Sequence, residues 1–399
     1  MSRQTKLVGK ISRACAALML IPLFGLEANA AQSSDSSTNL PAAQNDTGAP
    51  AAKASPQISE KEITFENKQN KDRLSGILLR PAGPGPFPAI IFVHGGGNGD
   101  RNTYRPLANA FLKLGVACLM WDKPGCGKST GDVRTELQDE RMSETQAALD
   151  FMRGRNDIDP KRIGMWGISA AGELVPQFAA SGDIAFAILV SPELNFSETL
   201  AYFTTPENIL RCKKFYGPLF NHMGISESDL GEMETFGTSF VQLLGKKDVT
   251  YDEVAAHLKD CHGKPWYQKL CQTGLYSDAA LNWTPEYFHR FYDHDYHGDA
   301  RPFLAQTRCP ILVIFGADDF KVDHVTYTRY CEEAGEKIGL GVITVKTFAG
   351  ASHELTTPSD TPSNHYVPGY LDLMCTWLKD RGSNVVSTPK TVPDPTSAH

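Results

Sequence analysis

Apolar runs long enough to be buried strands recur along this chain, and several of them end on short turns of small and chemically capable residues. Ala89-Ile90-Ile91-Phe92-Val93 ends on His94-Gly95-Gly96-Gly97, and Arg162-Ile163-Gly164-Met165-Trp166-Gly167 runs into Ile168-Ser169-Ala170-Ala171-Gly172. Pro310-Ile311-Leu312-Val313-Ile314-Phe315 ends on Gly316-Ala317-Asp318-Asp319, and Leu340–Val345 is followed by Gly350-Ala351-Ser352-His353. Unbroken apolarity reads as a parallel strand covered on both faces. A serine, a carboxylate and an imidazole so far apart in sequence meet only where a fold brings several strand ends to one rim. The expected class is therefore α/β, a mostly parallel sheet flanked by helices.

Ser169 stands between a short apolar strand and a helical stretch opening at Ala170-Ala171-Gly172-Glu173-Leu174-Val175. Small neighbours suit a sharp, strained turn that lifts a hydroxyl clear of the sheet. The match to G-x-S-x-G is a variant, because Ala171 holds the place of the second glycine and Gly172 follows it. The plainer alternative is a serine that caps an ordinary helix.

A serine hydroxyl becomes a nucleophile only when a base takes its proton, and that base needs a group to orient it. His353 follows a late strand and a small-residue turn, as no other histidine of the chain does, and is the candidate base. Asp319, with Gly-x-x-Asp spacing after an apolar strand, is the candidate acid. Adjacent Asp318 is expected to bond the turn backbone, and Glu193, after the strand Ile184–Val190, is the runner-up acid. The backbone N–H of Ala170 and that of Gly96 or Gly97 are the candidate oxyanion donors. His94 is expected to be structural.

With these segments in place, the chain from about Ile63 to Leu378 resembles the α/β-hydrolase superfamily, and within it bacterial secreted serine esterases related to the prolyl-oligopeptidase and dienelactone-hydrolase branches. Gly85-Pro86-Phe87-Pro88, Asp122-Lys123-Pro124-Gly125-Cys126-Gly127-Lys128-Ser129-Thr130-Gly131 and Trp166-Gly167-Ile168-Ser169 carry the likeness. It is poor between about Asn195 and Arg301. The resemblance implies an α/β-hydrolase fold with a mainly helical lid inserted after the sixth core strand. Superfamily membership leaves the substrate open.

Gly127-Lys128-Ser129 invites a nucleotide-binding reading, but the first glycine of a phosphate loop is replaced by Asp122, so it reads as a rim loop. Arg3, Lys6, Lys10 and Arg13 precede an apolar run from Ala14 to Leu26 and then Ala28-Asn29-Ala30. That is the order of a secretory signal with cleavage after Ala30, and the run is too short for a comfortable membrane span. The division expected is a signal over 1–30, a disordered linker over 31–57, and a first core half over 58–194. A helical lid over 195–301, a second core half over 302–381 and a disordered tail over 382–399 complete it. The product would be secreted or periplasmic, without a stable membrane anchor.

Removing the signal leaves an even number of cysteines, which permits disulfides in an exported chain. Cys261 and Cys271 are the best local pair, while Cys118 lies in a core strand and reads as a small buried hydrophobe. The inserted segment is dense in aromatics, which form its own core or line a substrate pocket. Trp283, Tyr287 and Phe291 are the pocket candidates, with Thr284 and Pro285 as the cap and first position of a helix. His289, Asp293, His294 and His297 have helical spacing but no His-Glu-x-x-His pattern, so no metal is expected. A net charge of −7 without a basic stripe argues against a nucleic-acid partner.

These readings converge on a serine hydrolase that cleaves a small-molecule carboxylic ester through an acyl-enzyme, with no cofactor required. Peptidase or aminopeptidase action of the prolyl-oligopeptidase type and thioesterase action use the same acyl chemistry and stand as alternatives. A binding protein on an inactive hydrolase scaffold is the non-enzymatic one, and it would normally lack a member of the triad.

Overall fold

The computed structural model describes residues 58–132, 137–222, 224–272, 284–339, 341–357 and 366–385. The expected signal, the linker, Trp283 and residues 386–399 lie outside them, as does the side chain of Cys271 and hence its pairing with Cys261.

An eight-stranded sheet runs in the order β1-β2-β4-β3-β5-β6-β7-β8. Its strands are β1 (Ile58–Glu66), β2 (Arg73–Pro81), β3 (Phe87–Val93), β4 (Ala117–Trp121), β5 (Ile158–Ile168), β6 (Ala187–Val190), β7 (Ile311–Gly316) and β8 (Ile343–Phe348). β1 pairs with β2 and β2 with β4 antiparallel, and every pairing from β4 to β8 is parallel. The parallel strands therefore end on one edge, which is the rim that the spacing demanded. β4, β6 and β7 are buried at every residue, as strands covered on both faces must be.

Alternation along β3 divides the core into two layers. Ile90 and Phe92 join Leu107 and Phe111 of helix α1 (Arg105–Leu112) and Met374 and Trp377 of the closing helix at Tyr370–Val385. Ala89, Ile91 and Val93 face the other layer, with Ala148 and Met152 of helix α2 (Gln138–Arg153), Phe178 of α3 (Val175–Ser181) and Tyr327 of the helix His324–Ile338. Fully burying one such side chain contributes roughly 1.5–3 kcal/mol, so both faces must stay covered.

Between β6 and β7 the chain leaves the sheet through helices. These are α4 (Phe196–Phe203), α5 (Pro206–His222), α6 (Glu227–Leu244), α7 (Tyr251–Asp260), α8 (Pro265–Gln272), α9 (Pro285–Arg290) and α10 (Arg301–Leu304). An isolated antiparallel bridge between Asn195 and Asp299 closes the base of the insertion. Local sequence starts several of these helices: Asn195, Ser226, Thr250 and Thr284 each accept the N–H three residues on. The insertion has an aromatic core of its own, including Phe236, Phe240, Trp266, Phe288 and Phe291.

Several strands differ at their ends from the sequence expectation; β5, for one, starts at Ile158 rather than Arg162. β6 starts at Ala187 rather than Ile184. β8 runs from Ile343 to Phe348 rather than from Leu340 to Val345, and it follows Gly339 and Gly341, whose φ of 119° and 84° is not that of a strand. The helix at Tyr370–Val385 runs past the expected start of the tail.

Candidate active site

Ser169 follows the last residue of β5 directly and opens a 3₁₀ turn, Ser169–Glu173, that leads through Leu174 into α3. Its φ is 56°, in the left-handed region that a residue with a Cβ occupies at a cost of roughly 1–3 kcal/mol. The glycine pattern has a packing reason. A Cβ on Gly172 would sit 2.6 Å from Pro192 Cβ and as close to the Glu193 carbonyl, so the turn touches the loop after β6 through bare backbone. The position occupied by Ala171 tolerates a methyl group, and that group is fully buried.

Asp319 follows β7 and His353 follows β8, and the two parallel strands bring them together. His353 Nδ1 donates to Asp319 Oδ2 at 2.8 Å, with the carboxylate fully buried and the imidazole nearly so. The other carboxylate oxygen, Oδ1, accepts the N–H groups of Lys321 at 2.7 Å and Val322 at 3.1 Å. The turn bonding expected of Asp318 is therefore made by Asp319, and Asp318 is exposed. The reason is burial: Asp319 is enclosed and must satisfy both oxygens within the protein, whereas Asp318 is open to solvent. The two loops are also joined by main chain, Ala317 N–H to Phe348 O at 2.9 Å and Asp318 N–H to Ala351 O at 2.9 Å. Gly316 permits that approach, since a Cβ there would collide with the Ser352 and Ala351 carbonyls.

Sequence reasoning missed Ser191. Its φ is 43°, and its hydroxyl donates to the His353 carbonyl at 2.9 Å. Leu355, two residues past His353, has φ of 57°. Among the described residues, three of the four non-glycine residues with positive φ thus lie at this rim, the setting in which strain points to function.

Gly96 is exposed and Gly97 partly so in the loop after β3, and Ala170 is partly exposed beside Ser169. His94 is buried and its Nε2 donates to the Trp121 carbonyl at 2.6 Å, a structural contact between β3 and β4. The loop suspected of resembling a phosphate cradle is occupied by its own carboxylate. Asp122 accepts from Lys128 N–H at 2.8 Å and from Arg101 at 2.6 Å.

Around the serine turn lies a buried charged group that sequence did not disclose: Arg141 on α2, Glu173 on the turn, Glu193 after β6 and Asp295 from the insertion. Burial pushes Glu193 up to about 7 against the opposing pull of Arg141 and His353. Burial likewise raises Asp295 to about 6, and burial followed by the charge of Glu193 raises Glu173 well above the usual range. Glu193 also gives its N–H to the Ser169 carbonyl at 2.9 Å. Burial pushes the Cys309 and Cys331 thiols up to about 12, which leaves them poor nucleophiles.

Phe291 is buried in the insertion's core, edge-on to Phe196 at 5.6 Å, and Tyr287 packs against the same cluster. The insertion touches the acid loop directly: Tyr202 Oη donates to the Asp319 carbonyl at 3.1 Å, and Asn208 Nδ2 to the Phe320 carbonyl at 2.9 Å. Among the described residues no cluster of three potential metal ligands occurs, and no helix is long and apolar enough to cross a membrane.

A mostly parallel sheet with a strained serine after β5, an aspartate after β7 and a histidine after β8 defines an α/β-hydrolase fold. Over residues 70–342 the chain matches the family described as X-Pro dipeptidyl-peptidase (S15 family), and it belongs to that family. It is similar to an uncharacterized 31.7 kDa protein of the traX-finO intergenic region of Escherichia coli, at 32% identity over 60% of this chain and 75% of that protein. Similarity to the quorum-quenching protein AidA of Acinetobacter baumannii is 30% over 32% of this chain, which spans only 42% of that relative's length. Acyl-coenzyme A thioesterase 1 of Rattus norvegicus is 26% identical over 54% of this chain and 53% of its own. Among solved structures, the Pyrococcus furiosus esterase Pf2001 aligns with a TM-score of 0.48 at 14% identity, over 81% of this chain and 91% of that one.

Proposed function

We propose that this protein is a serine hydrolase that cleaves a carboxylic ester through an acyl-enzyme. Ser169 attacks the carbonyl while His353 takes its proton, and Asp319 holds the imidazole in the tautomer that leaves Nε2 free to accept. The N–H groups of Ala170 and of Gly96 or Gly97 bind the oxyanion. His353 then returns the proton to the leaving alcohol, and a water, deprotonated by the same imidazole, releases the acid. The observation that carries the reading is the 2.8 Å bond between His353 Nδ1 and a fully buried Asp319. It lies at the rim where Ser169 holds a left-handed φ. An imidazole paired with a buried carboxylate is held in one orientation and one tautomer.

A second reading, release of dipeptides from a free amino terminus, is favoured by the family and by the buried carboxylates of Glu173, Glu193 and Asp295. The experiment that separates the readings measures kcat/KM of the purified protein on p-nitrophenyl esters, acyl thioesters and aminoacyl-proline anilides. The ester reading expects the highest value on an ester, and a higher value on the anilides overturns it. We further propose that the chain is exported, with residues 1–30 removed and the insertion over 195–301 acting as a lid. A mature amino terminus other than Ala31, read by sequencing, would contradict the cleavage site.

A further inference from the structure

Two buried cations grip the loops that bear the candidate oxyanion donors, and neither belongs to the triad. Lys123, in the turn after β4, is 1% exposed. Its Nζ donates to the Gly95 carbonyl at 3.3 Å, and its own N–H donates to the Gly99 carbonyl at 2.9 Å. One residue thus clasps both ends of the segment Gly95–Gly99. Arg141, on α2, is 7% exposed and spans two loops, with Nη2 donating to the His94 carbonyl at 3.0 Å and Nη1 to the Ala170 carbonyl at 3.3 Å.

Peptide geometry gives these contacts a consequence. In a planar trans peptide the C=O and the following N–H point in opposite directions. Holding the Gly95 carbonyl toward Lys123 therefore turns the Gly96 N–H the other way, out of the buried side of the loop. Arg141 fixes the preceding peptide, His94–Gly95, and at the same time anchors Ala170, whose N–H is the other candidate donor. A cation on the carbonyl also polarises the amide, which strengthens its N–H as a donor. A glycine-rich loop would otherwise sample many orientations. A buried ammonium is expensive to hold unless its contacts are specific.

We propose that Lys123 and Arg141 are positioning residues that aim the oxyanion donors, Lys123 setting the Gly96 N–H and Arg141 tying its loop to the serine turn. This rests on the reading of Ser169 as nucleophile and Gly96 and Ala170 as donors. It also selects Gly96 over Gly97 as the loop donor.

The test compares the full chain with Lys123→Met, Lys123→Arg and Arg141→Lys on a p-nitrophenyl ester and on an alkyl trifluoromethyl ketone, whose adduct with serine carries an oxyanion. Lys123→Met is expected to lower kcat by about 10²–10³, the range for loss of an oxyanion-hole donor, with KM little changed. Ketone affinity should fall by the same factor as kcat/KM, and Lys123→Arg should restore part of both. Arg141→Lys, which cannot span two carbonyls, should also lower kcat more than it changes KM. A purely structural role predicts a lower melting temperature with kcat per active site and ketone affinity unchanged, and that result overturns the proposal. If Lys123→Met does not fold, the Lys123→Arg and Arg141→Lys comparisons decide by the same criterion. Fluorophosphonate labelling of the unsubstituted protein separates the two levels. Labelling at Ser169 with unchanged kcat in the variants refutes the positioning role alone, and labelling elsewhere refutes the active-site reading and the proposal with it.

Discussion

Replacing Asp319 separates its two functions, because each carboxylate oxygen has a different partner. Oδ1 accepts two backbone N–H groups, and Oδ2 accepts one from His353. In Asp319→Asn the amide oxygen can serve only one side. The turn offers two donors to the histidine's one, so the oxygen stays with Lys321 and Val322 and the NH₂ faces the imidazole. Nδ1 must then accept, the proton moves to Nε2, and the base cannot take a proton from serine. The expected loss in kcat is about 10⁴, equivalent to about 5.4 kcal/mol of transition-state stabilisation. Stability should change little, because the turn keeps its acceptor. Asp319→Ala strands both turn donors and should also lose about 2–4 kcal/mol of folding free energy. The assay is steady-state kinetics on a p-nitrophenyl ester beside urea unfolding of both variants. An asparagine variant retaining a tenth of the activity, or an equal loss in exposed Asp318→Asn, would refute the reasoning.

Gly316→Ala should force the His353 loop away from β7 and lower both activity and stability, the latter by about 1–3 kcal/mol in a melt. Phe291→Ala should cost about 3–5 kcal/mol by opening a cavity in the insertion, and the ratio of kcat/KM for a large and a small ester should stay constant, since Phe291 is buried against Phe196. Glu193 is held above its ordinary 4.5, at about 7, so between these values the folded chain binds a proton that the unfolded chain has lost. Stability is then greatest below about pH 4.5 with respect to this group and falls as pH rises toward 7. Thermal melts across that window should show the decline, and Glu193→Gln should make it shallower, because Asp295 and Glu173, also raised by burial, keep their own share.

How legible the molecule was from its sequence depended on the kind of signal each residue left. β3, β4 and β7 declare themselves because both faces are covered, which leaves runs such as Ile311–Phe315 unbroken by any polar residue. Ser169, Asp319 and His353 could be singled out because each follows such a strand within a small-residue turn. Arg141 left no such signal: it sits on an amphipathic helix where one more arginine looks like surface charge, and only α2's packing brings it beneath His94 and Ala170. Lys123 directly follows a buried strand and its aspartate, and a lysine in that position was a clue that could have been weighed. The turn role passed from Asp318 to Asp319 because burial, which adjacent identical residues do not advertise, decides which one must satisfy two partners. The shift in β8 was foreshadowed by Gly339 and Gly341.

The central claim is that Ser169 forms the covalent intermediate. Intact-mass spectrometry of the protein after exposure to an alkyl fluorophosphonate, with peptide mapping of the adduct, tests it most directly. The account predicts a single phosphonyl adduct on Ser169, and none in Ser169→Ala. An adduct on another residue, or one that survives the substitution, would contradict it.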